Sequence, residues 1–187
     1  MNFTEVKEQI RTFIKDELIS LEPWIVNSEW SEKLPKLNEL RDQVKKMGFW
    51  LPQVSKEYGG LGLSLEQHGE VSEILGASPY GFYVFNCQAP DAGNMEVLID
   101  TGTEEQKEQY LYPLLEGKIR SCFAMTEPQY AGSNPTRMGT TAKKENKNYI
   151  INGHKWFTSS FDGANFAIVM VVTDPDGEDV HLSLIHI

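Results

Sequence analysis

The sequence predicts an α+β fold, and three observations carry that prediction. Up to about Gly117 the apolar residues recur at helical spacing between recognisable start and stop residues. Beyond it come short runs rich in β-branched and aromatic residues, separated by turn residues. The two textures follow one another without alternating, which marks an α+β chain or two segregated domains. The boundary is placed near Glu116–Lys118, giving a helical part over 1–117 and a strand part over 118–181.

The helices come first. Phe3, Val6, Ile10, Phe13, Ile14, Leu18 and Leu21 share one face of a first helix, with Asn2 and Glu5 as its start signal. Pro23 should end or kink it. Leu37, Leu40, Val44 and Met47 mark a second helix, stopped by Gly48. GFWLPQVSKEYGGLGLS is a loop, and GGLGLS is read as a tight turn needing glycine at positive φ. Ser64 with Gln67 opens a helix through Val71, Ile74 and Leu75. One more covers Asp91 to Ile99, and Thr103 with Gln106 caps a last one, ended by Gly117.

In the strand half, IRSCFAM, MGTTAKK, YIIN, HKWFTS and NFAIVMVV read as strands. Asn146-Lys147-Asn148, Asn152-Gly153, Asp162-Gly163 and Asp174-Pro175-Asp176-Gly177 read as turns between them.

Composition narrows the function. The chain has 187 residues and a net charge of −10, from 17 Lys and Arg against 27 Asp and Glu. That disfavours nucleic acid, which selects a basic face, and an anionic membrane surface. FAIVMVV, the longest apolar run, has strand length and falls well short of a membrane span of roughly 18 residues. MNFTEVKEQIRTF resembles neither a signal nor a transit peptide, so a cytoplasmic location is expected. Cys87 and Cys122 have no framework spacing and are read as reduced and buried. His68, His154, His181 and His186 lack metal-ligand spacing, so no metal site is expected. Walker and G-x-S-x-G patterns do not occur.

FAMTEPQYAGS, from Phe123 to Ser133, is the stretch with chemical potential. A bound flavin needs an apolar shelf for its ring and donors at its polar edge, because reduction places negative charge there. Its pyrophosphate needs a backbone turn or small polar side chains. Phe123, Met125 and Trp156 offer a shelf; Thr126, Ser133 and Thr158 offer donors. If CFAM and KWFTS were neighbouring strands, their ends would meet at one rim of a small sheet. Thr and Trp are equally ordinary strand residues and Gly-Ser an ordinary turn, so spacing alone leaves both readings open.

YGGLGLS, FAMTEPQYAGS and YIINGHKWFTS resemble successive signatures of the acyl-CoA dehydrogenase family, and the resemblance runs to about Val180. FNCQAPDAGNMEVL, at 85–98, is similar to the subgroup of family members ten and eleven. The resemblance implies an N-terminal all-α domain, an antiparallel, β-barrel-like middle domain that is incomplete here, and a C-terminal helical domain that this chain lacks. It implies FAD as cofactor, with Phe123, Ala124, Met125, Thr126, Gly132, Ser133, Trp156, Phe157 and Thr158 along it. Thr126 and Thr158 would bond the ring near N5, Trp156 would pack on it, and Ser133 would sit where FAD and acyl-CoA approach each other. The chain departs from the commoner T-E-P-G-A-G-S-D pattern: its T-E-P-Q-Y-A-G-S-N is one residue longer, with Asn134 for the usual acid.

The implied reaction is α,β-dehydrogenation of an acyl-CoA thioester in fatty-acid β-oxidation. A carboxylate removes the α proton, and the flavin is reoxidised by electron-transfer flavoprotein or a similar acceptor. The full-length protein would be a homo-oligomer, a dimer or tetramer. No catalytic residue is assigned: the family's base belongs to the C-terminal domain, and Glu127 is read as structural. The 187 residues alone are therefore expected to be inactive and to bind flavin weakly. Tyr80, Phe82, Tyr83, Phe85 and Met95 are candidates for an acyl pocket or for plain core packing, and Asp91 and Asn94 for pocket or helix-start residues. LSLIHI, at 182–187, departs from the family pattern and matches what a sequencing-library adapter encodes, so it is read as adapter read-through. The alternative from another class is a non-catalytic binding or assembly protein retaining part of this fold.

Overall fold

The computed structural model describes residues 2–132 and 134–174, and the backbone of 181–186. The chain forms two compact units, Met1–Ala92 and Gly93–Ile187.

In the first unit, α1 (Phe3–Phe13) starts where the sequence places it. The Asn2 side chain accepts from the Glu5 N–H at 3.0 Å and the Glu5 carboxylate accepts from the Asn2 N–H at 3.0 Å. The helical path continues through a π turn at Ile14–Leu18 and a 3-10 turn at Ile19–Leu21. That path ends at Leu21, just before Pro23, as expected. Pro23 lies in the first turn of the next helix, α2 (Glu22–Asn27), where its missing N–H has no partner to lose.

The third helix, α3 (Trp30–Met47), buries Leu37, Leu40 and Val44 and stops at Gly48, with φ 76°. Gly59 and Gly62 of the GGLGLS turn have φ 84° and 60°, as that turn demands. α4 (Leu65–Leu75) is capped by Ser64 and Gln67, and α5 is the short helix Gly81–Val84. Ile10, Leu18, Leu40, Val44, Leu75 and Phe85 centre the core of this unit, with Phe13 edge-on to Phe85 at 5.8 Å. Phe85 and Met95 are fully buried, and Tyr80, Phe82 and Tyr83 pack against this core, so packing accounts for the first unit's aromatic candidates.

The second unit holds the later helices and the strands. α6 (Asp91–Thr101) precedes α7 (Glu104–Gln106), a π turn at Lys107–Leu111 and α8 (Tyr112–Leu115). Buried Asn94 of α6 donates from Nδ2 to Ser121 Oγ at 2.8 Å and to the Cys122 carbonyl at 3.1 Å, which fixes the helix to β1. The strands are β1 (Ser121–Ala124), β2 (Thr141–Glu145), β3 (Asn148–Asn152), β4 (Phe166–Asp174) and β5 (His181–His186).

β4 is the hub of the sheet. It pairs in parallel with β1, from Ser121↔Phe166 to Ala124↔Val169, and with β2 at Thr141↔Val172. Its partner β5 runs antiparallel, from Ile168↔His186 to Asp174↔His181. The sheet is therefore mixed. The antiparallel expectation holds for β2–β3 and β4–β5, whereas the long connections out of β1 and β3 bring the chain back for parallel pairing. Consecutive residues of β4 are buried, so both of its faces are covered along most of its length, which fits its unbroken apolar run. The β2–β3 hairpin turns at Asn146-Lys147, with Asn146 at φ 57°, a conformation asparagine tolerates. The backbone of Leu182 to His186 pairs with β4 as a strand.

Candidate functional site

β1 alternates its faces. Cys122 and Ala124 join Ala142, Ala167, Val169 and Val171 in the sheet's core, while half-buried Phe123 takes the opposite face. At the end of β1 the chain leaves the ladder at Met125, and there the segment around Trp156 meets it. The Trp156 N–H donates to the Thr126 carbonyl at 3.0 Å. Lys155 Nζ donates to the Met125 carbonyl at 2.8 Å and to Glu127 Oε1 at 2.8 Å.

HKWFTS is not a strand, contrary to the expectation. Phe157 has φ 49°, which breaks an extended run, and the segment lies beside β1's exit without regular pairing. The adjacency expected of it survives in this other form.

Around this junction lies a cleft of about 420 Å³. Ala124, Ile151, Val169 and Phe161 give it apolar walls, Trp156 an aromatic one, and Thr158 and Lys155 polar groups. Of its aromatic lining, Trp156 is 41% exposed and Phe161 72%. The Trp156 and Phe157 rings stand 4.7 Å apart. Gly153 is needed here: a Cβ on it would come within 2.2 Å of Thr140 Oγ1 and 2.6 Å of the Thr140 Cα.

Met125, Thr126 and Gly132 line a separate, small recess with Glu127 and Arg137. Gly132 lets Thr126 pack closely, since a Cβ there would lie 2.8 Å from Thr126 Cγ2. Thus Ala124, Trp156 and Thr158 share the cleft, Phe157 stands against Trp156 without lining it, and Met125, Thr126 and Gly132 share the recess beside it. Phe123 lines neither, and Ser133 lies outside the described residues.

Glu127 is buried, 3% exposed, and accepts from the Gly139 N–H at 2.5 Å, the Thr140 N–H at 2.8 Å and Lys155. Burial pushes its carboxyl up, but the Gly139 N–H, the Lys155 ammonium and Thr140 outweigh that and hold it down at about 2. In this environment the carboxylate is ionised and turned into the protein. The partnership with Lys155, and the contributions of Ile151, Phe161 and Val169 to the cleft, carry no sequence signal, because they join residues far apart in the chain.

Profiles of the acyl-CoA dehydrogenase N-terminal domain and of the acyl-CoA dehydrogenase middle domain match residues 3–118 and 122–187. The chain belongs to the acyl-CoA dehydrogenase family. Among curated relatives it is similar to acyl-CoA dehydrogenase family member 10 of Mus musculus, 42% identical over 181 residues covering 90% of this chain and 17% of that protein. It is also similar to family member 11 of Gallus gallus, 40% identical over 90% of this chain and 22% of that protein. A solved Mycobacterium abscessus structure of the same family superimposes with a TM-score of 0.90 at 34% identity, over 99% of this chain and 49% of that one. A glutaryl-CoA dehydrogenase from Mycobacterium smegmatis, solved in complex with FADH2, gives 0.72 at 25% identity, over 99% of this chain and 45% of that one. The chain thus spans about a fifth of these curated relatives and about half of these solved chains.

Proposed function

We propose that this chain forms the N-terminal helical part and the flavin-facing part of the middle domain of an FAD-dependent acyl-CoA dehydrogenase. The observation that carries the reading is the Trp156-to-Thr126 main-chain bond, because it sets side by side the two segments that would hold a flavin, one lining the cleft and the other mainly the recess beside it. The residues present fit the group: the cleft combines an open indole face, apolar walls and a threonine hydroxyl at its edge.

Trp156 would be the shelf for the ring, with Ala124, Val169 and Ile151 excluding water beneath it. Thr158 and Thr126 would donate hydrogen bonds to its polar edge, and Gly132 and Ser133 would meet the pyrophosphate and, at Ser133, acyl-CoA. When bound, FAD would accept the two electrons that α,β-dehydrogenation removes from the thioester. Glu127 is engaged by three donors and faces inward, so the proton-abstracting carboxylate is assigned to a part of the protein beyond this chain. The proposed partners are an acyl-CoA, electron-transfer flavoprotein or a similar acceptor, and further copies of the full-length chain. Among the described residues no helix is long and apolar enough to cross a membrane, and a cytoplasmic location is proposed.

The test is a titration of the purified chain with FAD, followed by flavin and tryptophan fluorescence, with an acyl-CoA dehydrogenase assay alongside. Weak saturable binding without turnover is expected, and Trp156→Ala should weaken binding roughly tenfold through lost ring contact. Turnover would overturn the inactivity of the isolated chain. Absence of saturable binding would overturn the flavin site and favour the non-catalytic reading.

A further inference from the structure

The buried ion pair behind the cleft invites a sharper reading. Lys155 and Trp156 grip three consecutive residues at the exit of β1. Lys155 Nζ reaches the Met125 carbonyl at 2.8 Å and the Glu127 carboxylate at 2.8 Å, on either side of Thr126. The Thr126 carbonyl takes the Trp156 N–H at 3.0 Å. Glu127 in turn holds the Gly139 and Thr140 N–H groups, so one ion pair joins three segments separated by 12 to 28 residues.

The two charges are not placed symmetrically. Lys155 lines the cleft, whereas Glu127 lines the small recess beside it. Their side chains are only 11% and 3% exposed, so solvent screens them poorly. Anything seated in the cleft meets the cationic end of the pair, and the carboxylate behind it tempers that charge.

We propose that Glu127 and Lys155 are a positioning pair that fixes the wall of the flavin cleft and sets the charge the flavin ring meets there. The proposal rests on the flavin reading above. Because reduction makes the ring more negative, the cationic end favours the reduced flavin and the carboxylate limits how far. Substituting the two partners should therefore move the flavin potential in opposite directions. Looser packing alone has no reason to produce opposite signs.

The experiment compares the purified chain, loaded with saturating FAD, with Glu127→Gln, Lys155→Met and Lys155→Arg, and measures the potential of the bound flavin. Glu127→Gln should raise the affinity for reduced over oxidised FAD roughly tenfold, about 30 mV for a two-electron couple. Lys155→Met should lower it by a similar factor. Lys155→Arg, which keeps the charge, should stay near the unsubstituted chain and serves as the second variant where Lys155→Met fails to fold. Shifts of the same sign, no shift, or an Arg variant that behaves like Met would overturn the proposal while leaving the flavin reading standing. Failure of the unsubstituted chain to bind FAD would overturn both.

Discussion

Trp156 is bonded to Thr126 through the main chain, N–H to carbonyl at 3.0 Å, although neither residue belongs to a strand. The bond uses no side-chain atom, so Trp156 can be replaced without releasing the segment that carries it. That separates two roles at one position: the backbone holds the cleft together, and the indole supplies the surface inside it.

The pH dependence of stability follows from Glu127. Its folded carboxyl lies at about 2, below the ordinary 4.5. A depressed folded value stabilises the fold above the unfolded value, and that contribution drains away as pH falls from about 4.5 towards 2. At about 1.4 kcal/mol per pH unit the loss is on the order of 3 kcal/mol. Urea unfolding at pH 6 and pH 3 should show about 2 kcal/mol of it, and Glu127→Gln should flatten the difference between the two.

Thiol chemistry gives a second expectation. Cys87 and Cys122 are buried thiols outside any disulfide, and burial pushes the Cys87 thiol up to about 12. A maleimide reagent should label neither in the folded chain at pH 7.5 or so, and both after denaturation. Prompt labelling of Cys87 in native buffer would contradict this.

Two glycines should respond oppositely to alanine. At Gly153 the new Cβ meets the Thr140 backbone and side chain within 2.6 Å, so Gly153→Ala should destabilise by about 1–3 kcal/mol and deform the cleft wall. At Gly69, inside α4, a Cβ meets nothing within 4 Å, so Gly69→Ala should stabilise by roughly 0.5–1 kcal/mol. Chemical denaturation of both variants reads the signs directly.

The cap of α4 offers a local check. The Ser64 hydroxyl accepts from the Gln67 N–H at 3.2 Å and the Gln67 side chain returns the bond to the Ser64 N–H at 3.1 Å. Ser64→Ala should cost about 1 kcal/mol, and Ser64→Asp about nothing. Hydrogen exchange at the first turn of α4 would localise the effect.

The helix starts at Asn2, Ser64 and Thr103 were legible because each cap is written within four residues, and so was the turn at Asn146. The π turns at Ile14–Leu18 and Lys107–Leu111 were not, since they change hydrogen-bond registry without breaking the apolar pattern. HKWFTS has the composition of a strand, yet it joins no ladder and Phe157 stands at positive φ, which composition does not reveal. The parallel pairing of β1 with β4 leaves no trace in either strand. Of the site, the resemblance supplied Trp156 and Thr158, which the fold brings into one cleft; the Lys155–Glu127 pair spans 28 residues and became visible only in three dimensions.

The hub position of β4 has a consequence for how the cleft comes into being during synthesis. β1 leaves the ribosome first, but the strand it pairs with begins only at Phe166, after the hairpin and the aromatic segment have also emerged. Until then Ser121 to Ala124 have no ladder, and Val169, one wall of the cleft, does not yet exist in the chain. Pairing over such a separation is slow, because the loop must close before any contact rewards it. The helical unit can thus mature while the cleft is still in pieces, and the nascent protein passes through a window in which its strand edges stand open to other chains.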